Sequence, residues 1–188
     1  MEIARTGTKE RELELSTPMT FVTIGVFGFS EDAFFNALKE AQVDTFCDIR
    51  WRRGVRGAEY AFVNSARLQK RLTELGIRYF HFRELAPTPA LRQRQAQVDE
   101  ANGIAKRKRT ALGEAFVSGY IEERLATFDS RKFVEQLGTE TRTAALFCVE
   151  REPAACHRSL LAARLQQDLS LQIAHLTPSS ADESAHRC

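Results

Sequence analysis

The run Cys148-Val149-Glu150-Arg151-Glu152-Pro153-Ala154-Ala155-Cys156-His157-Arg158 places two thiols, an imidazole, two carboxylates and two guanidiniums within eleven residues. Thiolates are nucleophiles and metal ligands, while His and Glu carry protons and Arg holds anions. Cys156 is the best nucleophile candidate. It sits where a Pro-containing loop enters a helical pattern, and the positive end of a helix with a neighbouring Arg or His favours thiolate. Cys148 closes an apolar run and is the second candidate. His157 and Glu150 are the candidate bases, and Arg158 is an anion clamp. Adjacency alone does not turn His157 toward Cys156, since successive helix residues point about 100° apart.

Quieter roles compete for the same residues. Cysteine is among the most often buried side chains, so Cys47 and Cys148, inside apolar runs, also read as packing. His157 and Arg158 can cap a helix, pair with Glu150 or Glu152, or staple the last helix to a sheet by hydrogen bonds. Zinc is a further use, in which Cys148, Cys156, His157 and His81 converge on one ion. The spacing is unusual for a structural zinc site and lacks a second close Cys/His pair, so the expectation is no metal and no cofactor. No GxGxxG and no phosphate-loop lysine support a nucleotide cofactor.

Positive charge is concentrated twice. Arg50-Trp51-Arg52-Arg53-Gly54-Val55-Arg56 carries four cations and no acid, with Trp51 available for stacking. Asp48 precedes this loop, and Tyr60 follows as a further candidate binding residue. Between residues 92 and 109, six Lys or Arg face two acids. Should both stretches ring one pocket, they suit a small anionic or phosphate-bearing ligand, with nucleic acid as the larger alternative. A solvated charged face is the alternative for the second stretch. The whole chain has a net charge of only +2, so this argument rests on the local clusters.

These residues need elements to position them. Phe21 to Val26 is a β-branched, apolar run stopped by Gly28. Ser30, with Glu31 and Asp32, then opens a helix on Phe34, Phe35 and Leu38. Residues 45–50 read as a second strand. Asn64 is placed to cap a helix carrying Leu68, Leu72 and Leu75, and residues 77–82 read as a third strand. Helical spacing returns through Phe116 to Phe128 and Phe133 to Leu137. Residues 143–149 form the most apolar strand, followed by a helix from about Ala155 to Leu169 and a last strand at 172–176. Strands alternating with helices predict one α/β domain. Its mostly parallel sheet has about five strands and helices on both faces, a Rossmann-like three-layer arrangement. Ligands then bind beyond the carboxyl ends of the strands, where Asp48, Arg50, Cys148 and Glu150 fall.

At 188 residues and 43% hydrophobic, the chain suits one core, expected over 19–178. Residues 1–18 read as a polar extension, 179–188 as a polar tail, and the charged stretch 84–113 as an insertion or partly helical flap. Four cysteines without a CxxC pair suggest reduced thiols and a cytoplasmic setting. No apolar run approaches the roughly 20 residues that span a bilayer. Neither substrate nor oligomeric state is legible.

Thr23-Ile24-Gly25, Asp48-Ile49-Arg50, Leu75-Gly76-Ile77-Arg78-Tyr79 and the Cys148-to-Arg158 run, of form C-x-E-x-x-P-x-x-C-H-R, together resemble the family called domain of unknown function 488, over about residues 21 to 178. The resemblance implies a bacterial or archaeal cytoplasmic α/β protein. It also implies a shared rim of Asp48, Arg50, Cys148, Glu150, Cys156, His157 and Arg158, without supplying a reaction. Many members continue the D-x-R strand with a Pro and a Ser-Arg pair, where this chain has Trp51-Arg52-Arg53-Gly54-Val55-Arg56-Gly57.

Overall fold

Apolar side chains of both parities force a strand to be covered on two faces, because successive residues point to opposite sides of a sheet. In β4 (Thr143–Cys148), Ala144, Leu146 and Cys148 join one core, and Ala145 and Phe147 the other. The computed structural model, which describes residues 19–179, sets β4 at the centre of a five-stranded sheet. The remaining strands are β1 (Thr20–Gly25), β2 (Thr45–Asp48), β3 (Arg78–His81) and β5 (Ile173–Leu176). All pairings are parallel, in the order β3-β2-β4-β1-β5. The expected extension 1–18, and residues 180–188 of the expected tail, lie outside the described residues.

Helices α1 (Glu31–Glu40) and α2 (Ser65–Glu74) cover one face with Phe34, Phe35, Leu38, Leu68 and Leu72. On the other face lie α4 (Glu114–Tyr120), α5 (Ser130–Leu137) and α6 (His157–Leu169), which contribute Phe116, Tyr120, Phe133, Leu161 and Leu165. Each such side chain stabilises the fold by about 1.5–3 kcal/mol through burial. The result is a three-layer α/β fold.

Local capping mostly follows the sequence signals. Ser30 Oγ accepts from Ala33 N at 3.2 Å, closing the start of α1. At α2, Asn64 stands in the cap position but makes no capping bond. Its Oδ1 accepts from Val55 N at 2.6 Å and so holds the basic loop 50–57 instead. The stretch 84–113 contains α3 (Pro89–Ala101), started by Thr88, whose Oγ1 accepts from Leu91 N at 3.2 Å. A short turn, Lys106–Lys108, follows.

The order of strands decides where a site can form. From β2 the chain passes through α2 outward to β3, whereas from β4 it passes through α6 in the opposite direction to β5. Connections leaving two adjacent strands in opposite directions open a crevice at their carboxyl ends. That switch point lies between β2 and β4.

Candidate functional site

Strand parity turns Cys148, the last residue of β4, toward α6. The loop after it closes through a short turn at Pro153–Ala155 and delivers Cys156, in extended conformation, to the residue before α6. His157 is then the first residue of the helix. The thiols of Cys148 and Cys156 each lie 3.8 Å from His157 Nδ1. Across the crevice, His157 Nε2 is 3.1 Å from the carbonyl oxygen of Ile49, just past β2. A carbonyl only accepts, so Nε2 carries a proton, and Nδ1 is the ring nitrogen that faces the two sulfurs. The Tyr120 ring packs 5.4 Å from the imidazole, and its hydroxyl donates to Leu85 O at 2.7 Å.

The two thiols are electrostatically unequal. Burial works against ionisation of Cys156, but the Cys148 S–H, His157 and Arg158 outweigh it and hold its pKa well below the ordinary thiol value. Cys148 goes the other way, because its proton is shared with Cys156 and it is buried. Burial also raises the Glu150 carboxyl, reinforced by Cys156 and opposed by Lys106, Arg109 and Arg158.

Beside this floor, Asp48 holds Arg50 in a two-pronged ion pair, with Arg50 Nε to Oδ1 at 2.8 Å and Nη2 to Oδ2 at 2.7 Å. Tyr79 donates to the same carboxylate at 2.8 Å, and Arg50 Nη2 also donates to Val63 O at 3.1 Å. The guanidinium lies 4.5 Å over the Phe147 ring. Although Arg50 is only 3% exposed, its Nη1 has no hydrogen-bond partner among the described residues. An unpaired buried cationic N–H costs free energy until an acceptor arrives.

Cys148, Cys156 and His157 form part of the lining of a cleft of about 760 Å³. Its walls come from the basic loop, α3 and the turn after it, and they bring seven Arg or Lys side chains against three acids. Arg109 ties these walls together. It donates to Asp99 Oδ2 at 2.7 Å, to Glu150 Oε1 at 3.2 Å and to Ala155 O at 3.2 Å. Asp99 in turn accepts from Gln95 Nε2 at 2.8 Å. Arg107 bridges Glu59 and Arg56 O and covers the Phe27 and Tyr60 rings.

Of the residues singled out in the sequence, Arg50, Arg52, Arg56, Cys148, Glu150, Cys156 and His157 line this cleft. Asp48, Arg53, Tyr60 and Arg158 do not line it. Asp48 is buried under Arg50, Tyr60 Oη accepts from Gly28 N at 3.3 Å, and the Arg53 carbonyl accepts from Ser65 N. Arg158 is 0% exposed and donates to Glu150 O and Arg151 O. His81 does not join the thiols, because its Nε2 bonds Arg50 O at 2.9 Å.

Arg109 and Asp99 belong to the charged stretch 92–109 offered as a pocket rim, whereas Gln95, which donates to Asp99, carries no charge and has no such signal. Tyr120 and the Ile49 carbonyl have no sequence signal. Cys47 and Arg53 show the Cys-x5-Arg spacing of a phosphate loop. However, Cys47 is fully buried in mid-sheet, and burial pushes its thiol far above the ordinary value, so it is a packing residue.

The fold and floor define a three-layer α/β protein with a Cys-Cys-His group at the switch point of its sheet, a group that can hold a metal ion. The chain belongs to the family described as Domain of unknown function DUF488, whose family model matches residues 30–165. No curated protein and no solved structure matches it. The matched segment contains the cleft floor from Asp48 to Arg158, while β1 and β5 lie outside it. No helix among the described residues is long and apolar enough to cross a membrane.

Proposed function

We propose that this chain is an enzyme acting on a small phosphate-bearing substrate, with Cys148, Cys156 and His157 as its reacting centre. One observation carries the reading: these three side chains share a single cleft with seven Arg or Lys side chains and only three acids. Cationic walls at a partly enclosed site attract an anion and orient it, and electron-pair donors at the floor are where chemistry on it would occur. In this reading Arg50, fixed by Asp48, supplies positive charge at the cleft wall, and Arg52 and Arg56 gather the anion from solvent. Glu150, raised by burial, is the proton carrier beside the floor. Free thiols at Cys47, Cys148 and Cys156 suit a reducing, cytoplasmic setting.

The test is iodoacetamide labelling of chelator-treated native protein, read by mass spectrometry at each cysteine, with and without millimolar inorganic phosphate or nucleotides. Selective alkylation of Cys156, slowed by either anion, supports the reading. Unchanged labelling, together with no phosphate or nucleotide binding by calorimetry, removes it.

A second reading, a non-catalytic nucleic-acid module, is favoured by Trp51 at the cleft wall, its ring 4.2 Å from the Arg83 guanidinium and 5.6 Å from that of Arg92. Binding of single-stranded DNA or RNA that falls steeply with salt, with alkylation of Cys156 leaving affinity intact, would favour that module.

A further inference from the structure

Two sulfurs and an imidazole nitrogen on one small patch are a donor set before they are anything else. Cys148 Sγ, Cys156 Sγ and His157 Nδ1 all lie within 4.8 Å of one another, and each sulfur is 3.8 Å from the nitrogen. A tetrahedral zinc ion, with Zn–S of about 2.3 Å and Zn–N of about 2.0 Å, sets sulfur and nitrogen ligands roughly 3.5 Å apart and two sulfurs roughly 3.8 Å apart. The protein therefore holds these atoms within a few tenths of an ångström of the sulfur–nitrogen separation that zinc demands.

The imidazole carries an independent mark. Its Nε2 donates to Ile49 O at 3.1 Å, which leaves Nδ1 as the ring nitrogen facing the sulfurs. Metal-ligating histidines almost always donate their other ring nitrogen to a carbonyl or carboxylate in this way. This bond comes from the residue just past β2, across the crevice and outside the loop that bears the cysteines.

No fourth protein ligand joins the three among the described residues. His81 is engaged by Arg50 O, and Glu150 is held by Arg109 at 3.2 Å and Lys106 at 3.6 Å. All three donors line the cleft. Structural zinc sites close with four protein ligands, whereas catalytic sites keep three and leave one position open. Thiolate with imidazole selects zinc over magnesium, calcium or manganese.

We propose that Cys148, Cys156 and His157 bind one zinc ion whose fourth position opens into the cationic cleft. On binding, zinc displaces any thiol protons to solvent and both sulfurs become thiolate ligands. Cys156 is then a ligand and not an attacking group, and the electrophile at the floor is the metal. That the open position receives a phosphate-bearing substrate rests on the proposed function; the metal site itself does not.

The experiment uses the full chain, stripped with a chelator under reducing conditions, and titrates it with Co²⁺ and then Zn²⁺ while recording the absorption spectrum. The expected result is one equivalent of cobalt with a thiolate-to-cobalt charge-transfer band and tetrahedral visible bands, both erased by one equivalent of zinc. Cys148→Ser and Cys156→Ser each remove the charge-transfer intensity of one sulfur, His157→Gln weakens zinc at least tenfold, and Cys47→Ala changes nothing. A wild-type spectrum without thiolate charge transfer overturns the proposal, as does zinc affinity unchanged in both cysteine variants. The wild-type spectrum decides even where a variant fails to fold. Zinc binding without phosphate binding keeps the metal site and removes the anionic-substrate reading, whereas phosphate binding without zinc overturns the metal site.

Discussion

Arg158 donates from Nη1 to the backbone carbonyl of Glu150, eight residues earlier, and from Nη2 to that of Arg151 at 2.8 Å. One fully buried guanidinium thereby pins the cysteine-bearing loop to the helix that follows it. It donates to two carbonyls of that loop, and its charge also favours the Cys156 thiolate. Arg158→Ala should lower unfolding free energy by about 3 kcal/mol, read by urea denaturation, because it removes both hydrogen bonds and leaves a cavity. A loss below about 1 kcal/mol would mean that the loop is held by other contacts.

Gly25 sits where this loop passes over β1. A Cβ there would lie 1.8 Å from the Glu150 carbonyl oxygen and 3.0 Å from Arg158 Nη1. Gly25→Ala should therefore displace the loop, costing about 3 kcal/mol or more, and should reduce zinc affinity with it. Wild-type stability and metal binding in this variant would contradict the packing described.

Asp48 acts through Arg50. Asp48→Asn leaves a buried, unpaired guanidinium and should cost roughly 3–5 kcal/mol by thermal or urea unfolding. The double replacement Asp48→Leu with Arg50→Met should recover much of that stability while weakening inorganic phosphate in the cleft. Phosphate affinity equal to wild type in the folded double variant would exclude Arg50 from the binding surface.

Arg52 and Arg56 are exposed on the cleft wall. Arg52→Ala and Arg56→Ala should each leave stability within about 0.5 kcal/mol and lower affinity for a phosphate-bearing ligand. For a polyanion, each should flatten the dependence of log K on log salt by about one unit. Calorimetry across a salt series reads both effects.

Asp168 links α5 to α6, accepting from Ser130 Oγ at 2.6 Å and from Arg164 Nε at 2.7 Å, and these bonds hold its carboxyl below the usual carboxylate range. Because the folded pKa is depressed, the stabilisation is complete above the unfolded value of about 3.9 and vanishes as pH falls through the folded one. Asp168→Asn should therefore be less stable than wild type at neutral pH. The gap in denaturation midpoint should narrow below about pH 3.9, and a constant gap would contradict the linkage.

The layered fold was legible because its signals are local. Phe34 and Leu38, spaced four apart, announce a helix face, and the two-sided apolar run Thr143–Cys148 announces a strand buried on both faces. The Ser30 cap is equally local, requiring nothing beyond three residues. A cap signal can be overruled from outside the helix: Asn64, read as the cap of α2, instead accepts from Val55 N and holds the loop before it.

Residue chemistry and spacing by themselves marked the Cys148-to-Arg158 run as the candidate site and set it at the carboxyl end of an apolar strand. Only tertiary structure decided what each group faces. That α6 turns back over the sheet toward β5 while α2 leads away to β3 is a matter of strand order, which no local pattern encodes. This order brings the Ile49 carbonyl across to His157, over 108 positions of sequence, and aims Nδ1 at the two sulfurs, an orientation that adjacency in sequence left open. It also buries Arg158 against carbonyls and stands Arg109, from a segment with little apolar periodicity, beside Glu150. Hydrophobic periodicity is written along the chain, whereas the partner of a polar group is fixed by which distant backbone arrives within about 3 Å of it.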